Sequence, residues 1–109
     1  MDFKEYQTKS RKTALYPNLG NNFIYPALGL ASEAGEVAGK IKKVLRDYDG
    51  VINKKKKAAV KDELGDVLWY VAQLATEFNL SMAEIAEQNI EKLYSRLARG
   101  KIGGAGDQR

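Results

Sequence analysis

The chain has no histidine and no cysteine, and only two prolines among its 109 residues. Without the first two residue types there can be no thiolate nucleophile, no Ser-His pair and no His/Cys zinc site. Any metal must sit on oxygen ligands, which narrows the ion to Mg²⁺, Mn²⁺ or Ca²⁺. The lack of cysteine also removes any disulfide framework that would argue for export. No apolar run approaches the roughly 18 to 20 residues of a membrane-spanning helix. The start, Met1-Asp2-Phe3-Lys4-Glu5, has neither the basic opening nor the apolar stretch of a secretory signal. These absences lead us to expect a soluble, cytoplasmic protein with no membrane partner.

What is present is ordinary for a globular chain: 44% hydrophobic residues and 29% charged, which argues against disorder or collagen-like structure. The length suits one domain, residues 1–109. Eighteen basic against fourteen acidic residues give a net charge of +4, and Lys54 to Lys57 alone account for it. The basic character is one local cluster, more simply read as a solvated helix start than as a nucleic-acid patch.

Periodicity reads helical nearly throughout, with no hairpin of alternating strands. We expect a first helix within residues 1–15, from about Asp2 to Ala14 with Asp2 as N-cap, and an aromatic-rich loop at 16–25. A second helix is expected over 26–48, with Pro26 at its first turn, then a turn at Asp49-Gly50 and a third helix over 55–79. Ser81-Met82-Ala83-Glu84 opens a fourth over 81–99, and the glycine-rich 100–109 tail is expected to be mobile. Helix two places Leu30, Ala34, Val37, Ile41, Val44, Leu45 and Tyr48 on one stripe. Helix three does the same with Val60, Leu64, Val67, Leu68, Val71, Leu74, Ala75 and Phe78. These stripes should pack the two helices as an antiparallel pair. Each helix has a second, small-residue stripe, Leu28, Ser32, Gly35 and Gly39 on one and Ala58, Gly65, Trp69, Ala72 and Thr76 on the other. So few elements remain to cover these that a partner subunit is expected there.

Two short acidic motifs stand out, Glu33-Ala-Gly-Glu36 on helix two and Glu63-Leu-Gly-Asp66 on helix three. At i and i+3, both acids of each motif lie on one side of their helix. Relative to its core stripe, the first acid of each is offset by about 80° and the second by about 140°, with the same sign. Counted from the turn, the two motifs sit about 16 and about 14 residues away, a mismatch of about 3 Å. Four carboxylates facing each other at one level would repel, and a hard divalent ion is the natural neutraliser. The alternative is a set of solvated acids at the helix edges, with Lys40, Lys43 and Lys61 supplying the countercharge. On helix four, Asn89, Lys92 and Arg96 form a polar ridge beside Met82, Ala86, Ile90, Leu93 and Leu97. That ridge suits phosphate oxygens or, equally, a solvated face.

Glu33-x-x-Glu36, 26 residues, then Glu63-x-x-Asp66 resembles the signature of the MazG-like all-α nucleoside triphosphate pyrophosphohydrolases. Leu28-Gly-Leu-Ala-Ser-Glu-Ala-Gly-Glu-Val37 and Asp62-Glu-Leu-Gly-Asp-Val-Leu-Trp-Tyr70 read like that family's two metal-site helices. Asn89-x-x-Lys92-Leu93-x-x-Arg96, with the tail Gly103-Gly-Ala-Gly-Asp107-Gln-Arg109, is similar to the end of its short single-domain members. The resemblance implies an all-α helical hairpin with flanking helices, completed as a four-helix-type bundle in a dimer or tetramer. It also implies Mg²⁺, with Mn²⁺ as a substitute, on Glu33, Glu36, Glu63 and Asp66, and Asn89, Lys92 and Arg96 facing the phosphates. The reaction implied is hydrolysis of a (d)NTP to the monophosphate and pyrophosphate, and we expect Glu36 to double as base. Trp69, Tyr25 and Phe23 are candidates for base stacking, with Trp69 better placed for a subunit interface. The rival readings are a phosphoribosyl-ATP pyrophosphohydrolase of the same superfamily, a non-catalytic helical adaptor, and a nucleic-acid binder using Lys54 to Lys57.

Overall fold

The computed structural model describes residues 1–109 and contains four helices and no strand. They are α1 (Phe3–Arg11), α2 (Ile24–Asp47), α3 (Lys54–Glu77) and α4 (Met82–Ala98). Three begin on side-chain caps. Asp2 Oδ1 accepts from the Glu5 N–H at 2.8 Å, Asn53 Oδ1 from Lys56 at 2.8 Å, and Ser81 Oγ from Glu84 at 3.3 Å.

Several boundaries differ from expectation. α1 stops at Arg11 because Thr13 turns its hydroxyl onto the Ser10 carbonyl at 2.7 Å, offering the backbone a local partner outside the helix. α2 starts at Ile24, two residues before Pro26, so the proline lies inside the first turn, where its missing N–H is not needed. The Asn22 carboxamide accepts from Tyr25 N at 3.0 Å just ahead of it. α3 and α4 are each a residue or two displaced from the expected 55–79 and 81–99.

α2 and α3 form the expected antiparallel hairpin. Asp49 and Gly50 both take positive φ, 53° and 77°, at the turn. The close approach occurs at Gly29, where the Tyr70 ring lies so near that a Cβ would fall 2.1 Å from its Cε1. An alanine elsewhere in a helix gains about 1 kcal/mol over glycine, whereas overpacking costs about 1–3 kcal/mol. Gly29→Ala is therefore expected to lower the denaturation midpoint despite its better helix propensity. A raised midpoint would mean that Tyr70 does not rest on α2.

The expected stripes are only partly covered. On α2 Val44 is buried and Leu30 and Val37 are half-buried, but Ala34, Ile41, Leu45 and Tyr48 are exposed. Leu64 on α3, Phe78 just past its end, and Ile90, Leu93 and Leu97 on α4 are exposed as well. The small core instead joins α3 to α1 and α4: Ala72, Ala75 and Met82, packed by Tyr6, Leu68 and Val71. This corrects the assignment of α3's second stripe to a partner, since α1 of the same chain covers its C-terminal half. Thr76 and the α3–α4 junction are held from α1 by Gln7, whose Nε2 donates to Thr76 Oγ1 at 3.0 Å and to Leu80 O at 2.8 Å. The Cα radius of gyration is 16.8 Å, against about 13 Å for a compact chain of this length.

A single carboxylate organises the aromatic-rich loop. Glu77, its side chain 1% exposed, accepts from Arg11 Nη2 and Tyr16 OH, both at 2.7 Å, and from the backbone N–H of Gly20 at 2.9 Å and Asn22 at 2.6 Å. Burial alone would push its pKa up. The donors from Asn22, Tyr16, Arg11 and Gly20 outweigh that and hold it at about 2. Glu77 thereby ties the end of α3 to α1 and to the approach of α2.

Candidate functional site

The hairpin seam is polar at its middle. Glu33 of α2 and Glu63 and Asp66 of α3 each bring a carboxylate oxygen within 4.8 Å of the other two. Glu33 and Glu63 are half-buried and Asp66 is exposed, so the cluster opens to solvent on one side. The Glu33 carboxyl is pushed above its ordinary value. The close approach of the Glu63 carboxyl contributes most, followed by burial and the charges of Glu63, Asp66 and Glu36. Lys40 Nζ approaches Glu63 Oε1 at 3.6 Å, while Glu63 Oε2 is buried with no hydrogen-bond partner. One lysine thus offsets part of the charge, as the solvated-acid alternative anticipated, and leaves an orphaned anionic oxygen facing two more acids. That orphan and the all-oxygen donor set fit a hard divalent cation, with the exposed side left for water or substrate.

Glu36 does not join this cluster. It follows Glu33 by three residues, about 60° around the helix, and is exposed. On α2 it is Lys40, seven residues from Glu33 and about 20° from it in projection, that enters the seam. Of the four acids expected to form a cage, Glu33, Glu63 and Asp66 converge here with Lys40 beside them, and Glu36 lies at the rim.

Asn89, Lys92 and Arg96 lie on α4, and no hydrogen bond or ion pair joins them to Glu33, Glu63 or Asp66 of the same chain. Lys92 Nζ lies 3.2 Å from Asp107 Oδ1, and Arg96 Nη2 donates to the Asp107 carbonyl and lies 3.4 Å from its Oδ1. The Lys92 ammonium, with Arg96 beside it, lowers the Asp107 pKa. Arg96 is 4% exposed, and its Nε is buried without a partner. Asn89 is exposed. The tail, expected to be mobile, closes on its own last side chain. The Arg109 guanidinium donates to the carbonyls of Lys101, Ile102, Gly103 and Gly106.

The roles of Glu77 and Thr13 were not anticipated. Glu77 carried one sequence signal, an acid in the last turn of a helix, where the dipole disfavours it unless donors compensate. Thr13 carried none, since its partner Trp69 is 56 residues away.

An all-helical chain that gathers three carboxylates in a half-buried hairpin seam, with no histidine or cysteine anywhere, defines a class: helical-hairpin proteins with an acidic seam between the paired helices. Residues 26–99 match the MazG nucleotide pyrophosphohydrolase domain. The chain is also 45% identical over 109 residues to the Gene 37 protein of Mycobacterium phage L5, covering 95% of this chain and 96% of that protein. No solved structure matches. The chain belongs to the MazG nucleotide pyrophosphohydrolase family.

Proposed function

We propose that the protein is a single-domain, Mg²⁺-dependent nucleoside triphosphate pyrophosphohydrolase, converting a (d)NTP and water to the monophosphate and pyrophosphate. The observation that carries this reading is the buried, unpartnered Glu63 Oε2 beside Glu33 and Asp66 in a chain of this family. Glu33, Glu63 and Asp66 hold the ion. When bound there, Mg²⁺ (or Mn²⁺) supplies charge for the triphosphate oxygens and lowers the pKa of water. The attacking water oxygen bonds to the α-phosphorus, the bond to the α–β bridging oxygen breaks, and pyrophosphate leaves with the electron pair. Glu36 is assigned the water proton. It sits near enough to raise the Glu33 pKa, it takes part in none of the ion pairs, and its exposure leaves it open to water.

Asn89, Lys92 and Arg96 are assigned to the phosphates, reached from a second copy of the chain in a homo-oligomer of two or four subunits. The exposed apolar faces of α2, α3 and α4 and the extended shape of the lone chain support that assembly. No helix is long and apolar enough to cross a membrane, and the cytoplasm, which holds the nucleotide pool, is the compartment this reading calls for.

Incubation with each (d)NTP and Mg²⁺, with products resolved by ion exchange, is expected to yield monophosphate and pyrophosphate. Nucleoside diphosphate with orthophosphate, or no turnover at high enzyme, would reject the reaction. Turnover of phosphoribosyl-ATP alone would assign the sibling activity.

A further inference from the structure

Beside the acids lies a cavity of about 320 Å³ lined by Thr13, Glu33, Asp66, Trp69 and Tyr70. Trp69 and Tyr70 follow Asp66 by three and four residues, so all three leave α3 on one side. The aromatic rings stand about one turn, roughly 5.4 Å along the axis, from the carboxylate. One wall of the cavity is therefore anionic and the other aromatic.

The aromatic wall is fixed from behind. Trp69 Nε1 donates to Thr13 Oγ1 at 2.8 Å, and the same hydroxyl donates to the Ser10 carbonyl at 2.7 Å. The indole meets the Tyr70 ring edge-on, with centroids 5.0 Å apart and planes at 86°. Tyr70 in turn lies over the bare Cα of Gly29 and against Tyr25, 6.4 Å between centroids. Within the chain, Trp69 is held by the residues that trail α1, at the edge of the acid cluster. Because its N–H is already spent on Thr13, the ring has no donor left for a ligand. It can offer only its π surface.

We propose that Trp69, with Tyr70 at its edge, is the stacking platform for the nucleobase of the substrate, and that Thr13 is the positioning residue that sets the indole plane. This rests on the proposed reaction for the identity of the ligand. Phosphates drawn to a cation at Glu33 and Asp66 leave the nucleoside end facing the aromatic wall. A ring recognised by its face is selected by stacking area, so purines bind more tightly than pyrimidines at this contact.

The chain has one tryptophan, so its fluorescence reports this contact alone. With Mg²⁺ present, titration with AMP or GMP is expected to quench Trp69 saturably, with CMP weaker, while pyrophosphate at equal concentration leaves it unchanged. Thr13→Val should broaden the emission and raise KM for ATP about tenfold, with the loss falling on KM rather than kcat, and Thr13→Ser should restore both. Indifference of wild-type Trp69 fluorescence to the purine monophosphates, or equal quenching by pyrophosphate, overturns the platform. This holds whether or not ATP is hydrolysed. Hydrolysis to AMP and pyrophosphate without quenching would leave the reaction standing and remove the base site. Quenching without hydrolysis would do the reverse.

Discussion

Glu63→Gln is expected to abolish metal-dependent turnover while making the metal-free protein more stable. Glu63 sits between Glu33 and Asp66, with one oxygen buried and unpartnered. Removing its charge relieves repulsion within the cluster, and the partner lost, Lys40 at 3.6 Å, is part-exposed and contributes little. Without the ion, the variant should melt at a higher temperature than the parent. Adding Mg²⁺ should raise the melting temperature of the parent and leave the variant unmoved, since a ligand stabilises only the state that binds it. Turnover should fall by about a hundredfold or more, because metal assistance is worth several kcal/mol at about 1.4 kcal/mol per tenfold. Unchanged turnover, or a lower melting point without metal, would show that Glu63 serves only as an ion-pair partner, as in the adaptor reading.

The second large effect concerns stability and lies away from the acids. Glu77→Gln keeps the size of the side chain but leaves the half-buried Arg11 guanidinium and three further donors facing a neutral amide. Breaking such a pair costs about 3–5 kcal/mol. The parent carries a matching pH dependence. The folded-state value of Glu77, about 2, lies below its ordinary 4.5. Its stabilisation is therefore complete above about pH 4.5 and lost as pH falls from there towards 2. The shift corresponds to about 3 kcal/mol. Denaturant titrations at pH 7, 5 and 3 should show this acid limb in the parent and a much flatter response in Glu77→Gln. Parallel pH profiles for the two proteins would place the origin of acid sensitivity elsewhere. The loop from Tyr16 to Asn22, and through Asn22 the start of α2, should be the first region to gain hydrogen exchange in the variant.

The four helices and their caps were legible because the information is local. Asp2 and Ser81 cap their own next turns, and Asp49-Gly50 carries the positive φ values that turn the hairpin. The acidic motifs were legible as a pair because i,i+3 spacing fixes which side of a helix both residues share. The rotation of α2 against α3 was not. Apolar counting placed Ile41 and Leu45 in the seam, yet both are exposed, and Glu33 and Lys40 enter it instead. At Gly29 a missing side chain admits the Tyr70 ring, a close approach of α3 to α2 that no periodicity encodes. That rotation is what separates Glu36 from the other three acids. Gln73 was unreadable for a similar reason: it is fully buried because Arg11 and Ser10, more than 60 residues earlier, supply its partners. On α4 the basic ridge was visible in the sequence, while Asp107, which occupies it here, becomes its partner only once the glycine-rich tail folds back.

The central claim is that Glu33, Glu63 and Asp66 converge to hold a divalent cation between α2 and α3. Anomalous diffraction from a crystal grown with Mn²⁺ tests it most directly. The account predicts an anomalous peak at bonding distance from all three carboxylates, with Lys40 displaced from Glu63. Splayed acids, with Lys40 still on Glu63 and no peak between the helices, would contradict it.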